Sequence, residues 1–363
     1  MPYTTVAQTS ASPTSPRSGR IKRWLKRILL FGVALVVLLV IAGLCYQAIS
    51  DRADARRFPQ QGKSIQLGSE FGNVSLNIDC SGQGSPTVVL DSGLGVPAVG
   101  WKFVQPEVAK FTRVCSYDRA GYGWSSTGPM PRTTAEIVKE LHALLTAADE
   151  KPPYVLVGHS FGGHNIRVFN GAYPGEVAGM VLVDASHEDQ QSRMPPSLVE
   201  FSKKQEASQK WQQRLAPALI WLGIARLMDR ASEPAYLSKN DREELRYLQL
   251  QMKFLQATNS ELAVLSTSAD EVRASGNLGD KPLIVLTAGK APDASALPPG
   301  FPVKDFDDFE LIWKNDLQVR EAHLSTRGRQ IIVSDSDHMI PFERPDTVIS
   351  AIREVFSAAH SQN

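Results

Sequence analysis

The chain has 363 residues, 42% hydrophobic and 21% charged, and its 39 basic and 38 acidic side chains leave a formal net charge of +1. That length accommodates one large domain or two small ones. The near-neutral balance gives no basic excess of the kind a nucleic-acid partner requires, so no nucleic acid is expected.

The charge is unevenly spread. Before residue 28 the ionisable side chains besides Tyr3 are Arg17, Arg20, Lys22, Arg23, Lys26 and Arg27, all basic, and residues 28 to 46 then carry no charge at all. A helix rises about 1.5 Å per residue, so this run nearly spans a hydrocarbon core of about 30 Å. It has no polar face, which argues against an amphipathic core helix. We therefore expect a disordered basic cytoplasmic tail over 1–27, a transmembrane signal anchor over 28–48 and a linker over 49–63. A basic flank stays in the cytoplasm, so the rest of the chain should lie on the extracytoplasmic side. The alternative is a signal peptide cut near Ala53-Asp54-Ala55 and a secreted product, although apolar signal regions usually run only about 7–15 residues.

From residue 64 onward, strand-like runs are predicted at 64–70, 73–80, 86–91, 112–118, 153–158, 179–184, 282–288 and 329–334. Four of them, around Thr87–Leu90, Tyr154–Val157, Met180–Val183 and Pro282–Leu286, are almost continuously apolar. Strands apolar on both faces belong in a parallel sheet covered by helices, and helical patterns over 133–148, 161–173 and 345–359 supply covers. The expectation is an α/β doubly wound core formed by 64–187 and 281–363. Residues 188–280 hold helical patterns, including 219–228 and 241–269, and no convincing strand. A usual connection is about 4–6 residues, so this segment should be a helical cap or lid. Its apolar content, with Trp211 and Trp221, suits a substrate cleft.

The segment Gly158-His159-Ser160-Phe161-Gly162 matches G-x-S-x-G between an apolar strand and a helix. A strand turning sharply into a helix strains its central residue and lifts the serine oxygen into the open, while small neighbours leave room for the turn. The helix N-terminus then offers free N–H groups and a positive dipole to a developing oxyanion. A serine at neutral pH needs a base. Of the seven histidines, His338 follows the last apolar strand. His159 adjoins the serine, His164 reads as structural, and His187 is placed to line the cleft.

With Leu90-Asp91-Ser92-Gly93-Leu94-Gly95, Tyr117-Asp118-Arg119-Ala120-Gly121-Tyr122-Gly123-Trp124-Ser125 and Asp337-His338-Met339-Ile340-Pro341, the sequence resembles the α/β-hydrolase superfamily over roughly residues 64 to 360. The resemblance implies a mostly parallel eight-stranded sheet, Ser160 as nucleophile and His338 as base. The superfamily usually has Gly before that histidine, where this chain has Asp337. For the carboxylate the resemblance leaves two positions, Asp184 after strand 179–184 and Asp293 after strand 282–288. Asp184 is preferred, because Asp293 falls late in a loose loop. The oxyanion donors would be the backbone N–H groups of Leu94 and Phe161, and Asp118 and Arg119 would support neighbouring loops. The implied sheet makes the second and fourth strands neighbours, which would allow Cys80 and Cys115 to pair in an oxidising compartment.

The expected function is hydrolysis of an ester, or a related acyl bond, of a small hydrophobic substrate through an acyl-enzyme. Alternatives are an aminopeptidase or amidase, a carbon–carbon bond hydrolase, or a non-catalytic receptor on the same fold. Serine at the nucleophile position argues against epoxide hydrolase or dehalogenase chemistry, which needs aspartate there. No metal motif or phosphate loop is present, so no cofactor is implied.

Overall fold

The first helix, α1 (Arg17–Arg57), carries the apolar run. The structure, a computed structural model, describes residues 17–228, 236–290 and 297–360, with the side chains of 17–19 and 206–213 outside the described set. Among the described residues one helix, over Arg20–Arg57, is long and apolar enough to cross a membrane, and its most apolar window is not buried against the protein. The helix continues through residues 49–57, where a linker was expected, and its basic part from Arg17 is helical rather than disordered. The reason at the C-terminal end is charge pairing. Asp51 and Asp54 both receive Arg226, and Arg57 pairs with Glu243.

The next elements are β1 (Lys63–Gln66), β2 (Ser75–Ser81), β3 (Thr87–Asp91), the short helix α2 (Gln105–Val108), β4 (Val114–Tyr117) and α3 (Thr134–Ala147). They are followed by β5 (Tyr154–His159), α4 (Phe161–Ala172) and β6 (Val177–Val183). Among the described residues six helices then intervene, α5 (Gln190–Arg193), α6 (Pro196–Trp221), α7 (Ile224–Met228), α8 (Lys239–Gln249), α9 (Met252–Ala263) and α10 (Leu265–Ala274). The chain closes with β7 (Leu283–Ala288), α11 (Val303–Ile312), α12 (Gln318–Ala322), β8 (Gly328–Val333), α13 (Ile340–Glu343) and α14 (Pro345–His360). The eight strands form one sheet ordered β1-β2-β4-β3-β5-β6-β7-β8, antiparallel at β1/β2 and β2/β4 and parallel from β4 onward.

Strand alternation explains how both faces are covered. In β5, Tyr154 and Leu156 join a core with Val138, Leu141, Leu144 and Leu145 of α3 and Ile166 and Phe169 of α4. Val155 and Val157, one residue out of phase, join the opposite core with Val348, Ile352 and Val355 of α14. Side chains at successive strand positions point to opposite faces, so a continuous apolar run is what a doubly covered strand needs. In α3 the apolar positions recur at helical spacing, and Thr133 caps its first turn through the Glu136 N–H. The outcome is the expected α/β core, one mostly parallel sheet with helices on both faces.

Candidate active site

Strand β5 ends at His159 and α4 begins at Phe161, so Ser160 alone makes the turn. Its backbone lies at φ 51° and ψ −122°, a conformation that costs a residue with a side chain on the order of 1–3 kcal/mol. Close packing holds it there. A Cβ added at Gly158 would lie 2.6 Å from the carbonyl carbon of Gly162, and one added at Gly162 would lie 2.8 Å from that of Asp91. The Ser160 N–H donates to Val183 O at 3.1 Å, and the Ser160 carbonyl accepts from Gly163 at 2.9 Å and Ser186 at 3.0 Å. Ser160 is the N-cap residue of α4, where serine normally turns its hydroxyl onto a helix N–H, yet it makes no such bond. The hydroxyl is thus left for other use, beside the free N–H groups and positive end of α4.

Asp184 directly follows β6, also with a left-handed backbone at φ 41°. Its side chain is 5% exposed. One carboxylate oxygen accepts the Ala288 N–H at 3.0 Å and Trp313 Nε1–H at 2.9 Å, and the other lies 2.6 Å from His338 Nδ1. Burial opposes ionisation here, but the donors led by His338 outweigh it and hold the Asp184 carboxyl below its ordinary value. Because the carboxylate accepts, His338 Nδ1 carries the proton and Nε2 is left as the acceptor. For His338 the balance runs the other way. Its side chain is 49% exposed; the desolvation it has disfavours the imidazolium, but Asp184, with Asp337 and Glu310 adding to it, raises its pKa above the ordinary 6.5. The other sequence candidate for the acid, Asp293, lies outside the described residues.

Asp337, the departure from the usual glycine, shapes the loop that carries His338. Its Oδ1 accepts the Met339 N–H at 2.8 Å, while its own N–H donates to Glu343 Oε2 at 2.9 Å. His159 ties this loop to the serine turn, its Nε2 donating to the His338 carbonyl at 2.8 Å. Burial, with His338 second, pushes His159 down to about 3, so it stays uncharged. His164 and His187 are likewise held neutral mainly by burial, at about 3 and about 4. They line a separate cavity of about 120 Å³ with Ser186 and Glu188.

The loop after β3 backs onto the same turn. A Cβ added at Gly93 would meet His159 Nδ1 at 3.0 Å and Ser160 Cβ at 3.1 Å. The buried Arg119 holds this loop by donating to Ser92 O at 2.6 Å and Gly93 O at 3.0 Å. The same guanidinium pairs with Asp91 at 3.0 Å and with Glu261 of α9 at 2.9 Å. Burial works against its charge, but Glu261 and the other groups around it raise its pKa well above the ordinary value. Tyr122 adds a second tie, donating to Glu261 at 2.6 Å and accepting the Gly95 N–H at 3.1 Å. Asp118 in turn accepts from Ala98 N at 2.8 Å and Trp124 N at 3.1 Å. Of the two backbone candidates, Phe161 is the first helical residue of α4, and Leu94 follows Gly93 in the loop that Arg119 holds.

Three participants were not singled out from the sequence. Trp313 comes from the segment after α11, Glu261 from a helix of the insertion, and Glu310 faces the Asp184–His338 pair from α11. No motif marks any of them, because each is recruited by folding from a remote segment. Trp221, expected in a cleft, is 58% exposed, and the Trp211 side chain lies outside the described residues. Away from the site, Cys80 and Cys115 are register partners on β2 and β4 and are joined by a disulfide. They cluster with Glu150, but both sulfurs are spent in that bond, so the group has no thiolate to offer a metal.

Comparison with known proteins agrees with this fold. The "Alpha/beta hydrolase family" matches residues 88–351. YqjL of Bacillus subtilis, itself uncharacterized, is 28% identical over 282 residues, covering 77% of this chain and 87% of that protein. A 2-hydroxy-6-oxononadienedioate/2-hydroxy-6-oxononatrienedioate hydrolase of Paraburkholderia xenovorans is 34% identical over 128 residues, 33% of this chain and 43% of that enzyme. Among solved structures, a thermophilic esterase from Thermogutta terrifontis superposes with a TM-score of 0.54 at 19% identity, covering 83% of this chain and 100% of the esterase chain. The matched span runs from within β3 to within α14 and holds every residue named around Ser160, and the chain belongs to the alpha/beta hydrolase family.

Proposed function

We propose that the chain is a serine hydrolase that cleaves an ester, or a related acyl bond, of a small hydrophobic substrate. The observation that carries this is the uncommitted hydroxyl of Ser160 on a strained turn, with the neighbouring His338 oriented by Asp184 at 2.6 Å. In this reading Ser160 Oγ attacks the carbonyl carbon and His338 Nε2 takes its proton. Asp184 keeps the imidazole in the required tautomer and stabilises the imidazolium. The Leu94 and Phe161 N–H groups receive the oxyanion. His338 then protonates the leaving alcohol, and the same groups activate water to release the acid.

The helices between β6 and β7, residues 188–280, act as the cap over this site. The N-terminal helix serves as a single-pass anchor with its basic end cytoplasmic and the hydrolase domain outside, where the Cys80–Cys115 disulfide is stable. A second reading, carbon–carbon bond hydrolysis, draws on the Paraburkholderia relative. It would use the same Ser160 and His338.

Labelling with a fluorophosphonate tests the proposal. Wild-type protein should label and Ser160→Ala should not. Failure of the wild type to label, or equal labelling of Ser160→Ala, removes the serine-hydrolase reading. Turnover of p-nitrophenyl esters against a vinylogous diketone separates the two substrate readings.

A further inference from the structure

Helix α1 does not stop where its apolar run ends. Its last turns dock on the insertion, and the docking point sits at the end of that run. At Gly43 an added Cβ would lie 2.8 Å from the Leu222 carbonyl oxygen and 3.3 Å from Leu222 Cα. The Tyr46 ring packs on Gly223, which has a left-handed backbone at φ 69°. One turn further, Arg226 donates to Gln47 at 3.0 Å and pairs with Asp51 and Asp54. Burial disfavours the Arg226 charge, but these aspartates outweigh it and raise its pKa. The tip joining α6 and α7 is therefore clamped against α1 at the boundary between apolar and charged residues.

That tip presents apolar side chains outward. Leu215, Trp221, Leu227 and Met228 are 46%, 58%, 59% and 67% exposed, and Ile224 is 37% exposed. A patch of this kind on one face of a protein marks a partner. Its level on α1 identifies which one. Trp with aliphatic neighbours suits the zone between headgroups and acyl chains, where apolar faces sit about 5–10 Å deep. Arg52 and Arg56, exposed on the adjoining turns of α1, are placed for lipid phosphates.

We propose that the α6–α7 tip is a membrane-contacting surface that inserts into the outer leaflet beside the anchor. This rests on the reading that α1 spans a membrane. The consequence is a route for substrate. Helix α8 is tied to the anchor through Arg57–Glu243, and Gln249 at its end donates to Gly95 O at 2.9 Å in the loop beside Ser160. The docked helices thus tie the bilayer surface to the loop beside Ser160, and on this proposal a lipophilic ester is delivered to Ser160 from the membrane.

The test uses the full chain carrying Cys45→Ser, reconstituted in mixed phosphatidylcholine and phosphatidylglycerol vesicles. Single cysteines bearing a nitroxide are placed by Leu38→Cys, Leu227→Cys and Lys204→Cys, and their collisions with oxygen and with a water-soluble nickel chelate are compared by electron paramagnetic resonance. The Leu38 and Leu227 sites should show an oxygen-to-nickel ratio several-fold above that of the Lys204 site. If Leu38 is lipid-exposed and Leu227 matches Lys204, the insertion is overturned while the anchor stands. Protection of Leu227 from both reagents points to a second copy on the patch and overturns it too. A water-exposed Leu38 removes the anchor reading and the proposal with it.

A second readout uses substrate. Trp221→Glu with Leu227→Glu should reduce hydrolysis of a vesicle-embedded long-chain ester several-fold and leave a soluble short-chain ester unchanged. Equal rates on both, or equal losses on both, overturn the route. If wild type cleaves neither, the hydrolase reading fails, and the nitroxide depths still decide the surface.

Discussion

Asp184 and His338 are separated by 154 positions in sequence and by 2.6 Å between carboxylate oxygen and ring nitrogen. The pairing arises because β6 and β8 flank β7 on the same side of β5, so the loops at their ends meet at one sheet edge. Asp184 reaches His338 with its second oxygen already fixed by Ala288 and Trp313. A carboxylate held at both oxygens can orient an imidazole without swinging away from it.

Replacing Asp184 by Asn should therefore leave the fold intact and favour the wrong imidazole tautomer. We expect kcat for p-nitrophenyl esters to fall by about 10³–10⁴. Asp293→Asn should keep most of its activity. Steady-state kinetics on the two variants measures both, and the reverse pattern would reassign the acid.

The pH profile follows from His338. As the proposed base it must be neutral to act, and Asp184 raises its pKa above 6.5. Activity is then full above the raised value and is lost as pH falls through it. The acid limb of kcat/KM should lie above pH 6.5, the ordinary histidine value. In Asp184→Asn the limb should move down. A limb unchanged by that substitution would show that another group controls it.

Trp313→Phe keeps an aromatic side chain, though a smaller one, and removes one donor to Asp184. Hydrogen bonds to charged groups contribute about 1.5–3 kcal/mol, so urea denaturation should show a loss of that order. The Asp184 carboxyl should become less acidic, and kcat should fall by less than in Asp184→Asn. The comparison separates a positioning effect from loss of the carboxylate.

Glu261 tests whether the insertion braces the loop at Leu94. Removing one partner of a buried ion pair costs about 3–5 kcal/mol, because Arg119 would stay buried with Asp91 as its remaining carboxylate. Glu261→Gln should lower stability toward that range, and kcat should drop with KM moving less, since the loop carries the proposed oxyanion donor. Unchanged kinetics in a stably folded Glu261→Gln would argue against such bracing.

The disulfide can be counted directly. Denatured, unreduced protein should show one free thiol, that of Cys45, and reduction should expose the pair. The closed loop spans 35 positions, for which chain-entropy reasoning gives about 3–4 kcal/mol. Cys80→Ser with Cys115→Ser should lower stability by about that amount in chemical denaturation.

Much of the architecture was legible because it is written in local patterns. Continuous apolar runs such as Tyr154–Val157 identify doubly covered strands, and Gly158-His159-Ser160-Phe161-Gly162 marks the strand-to-helix turn by the two glycines that close packing demands. The apolar run from residue 28 marks its helix, but the charges after it looked like a linker. Whether Arg and Asp solvate or pair depends on partners such as Arg226 and Glu243, far away in sequence. Trp313, Glu261 and the role of Asp337 were illegible for the same reason, since a hydrogen-bond partner is chosen by which segments the sheet order brings together. The sequence by itself determined the fold class and the serine turn, because backbone conformation and burial are set by neighbouring residues. Only the tertiary structure decided the company of His338, the bracing of the loop at Leu94 and the docking of the N-terminal helix on the insertion, because side-chain contacts across a hundred residues exist only once the chain has folded.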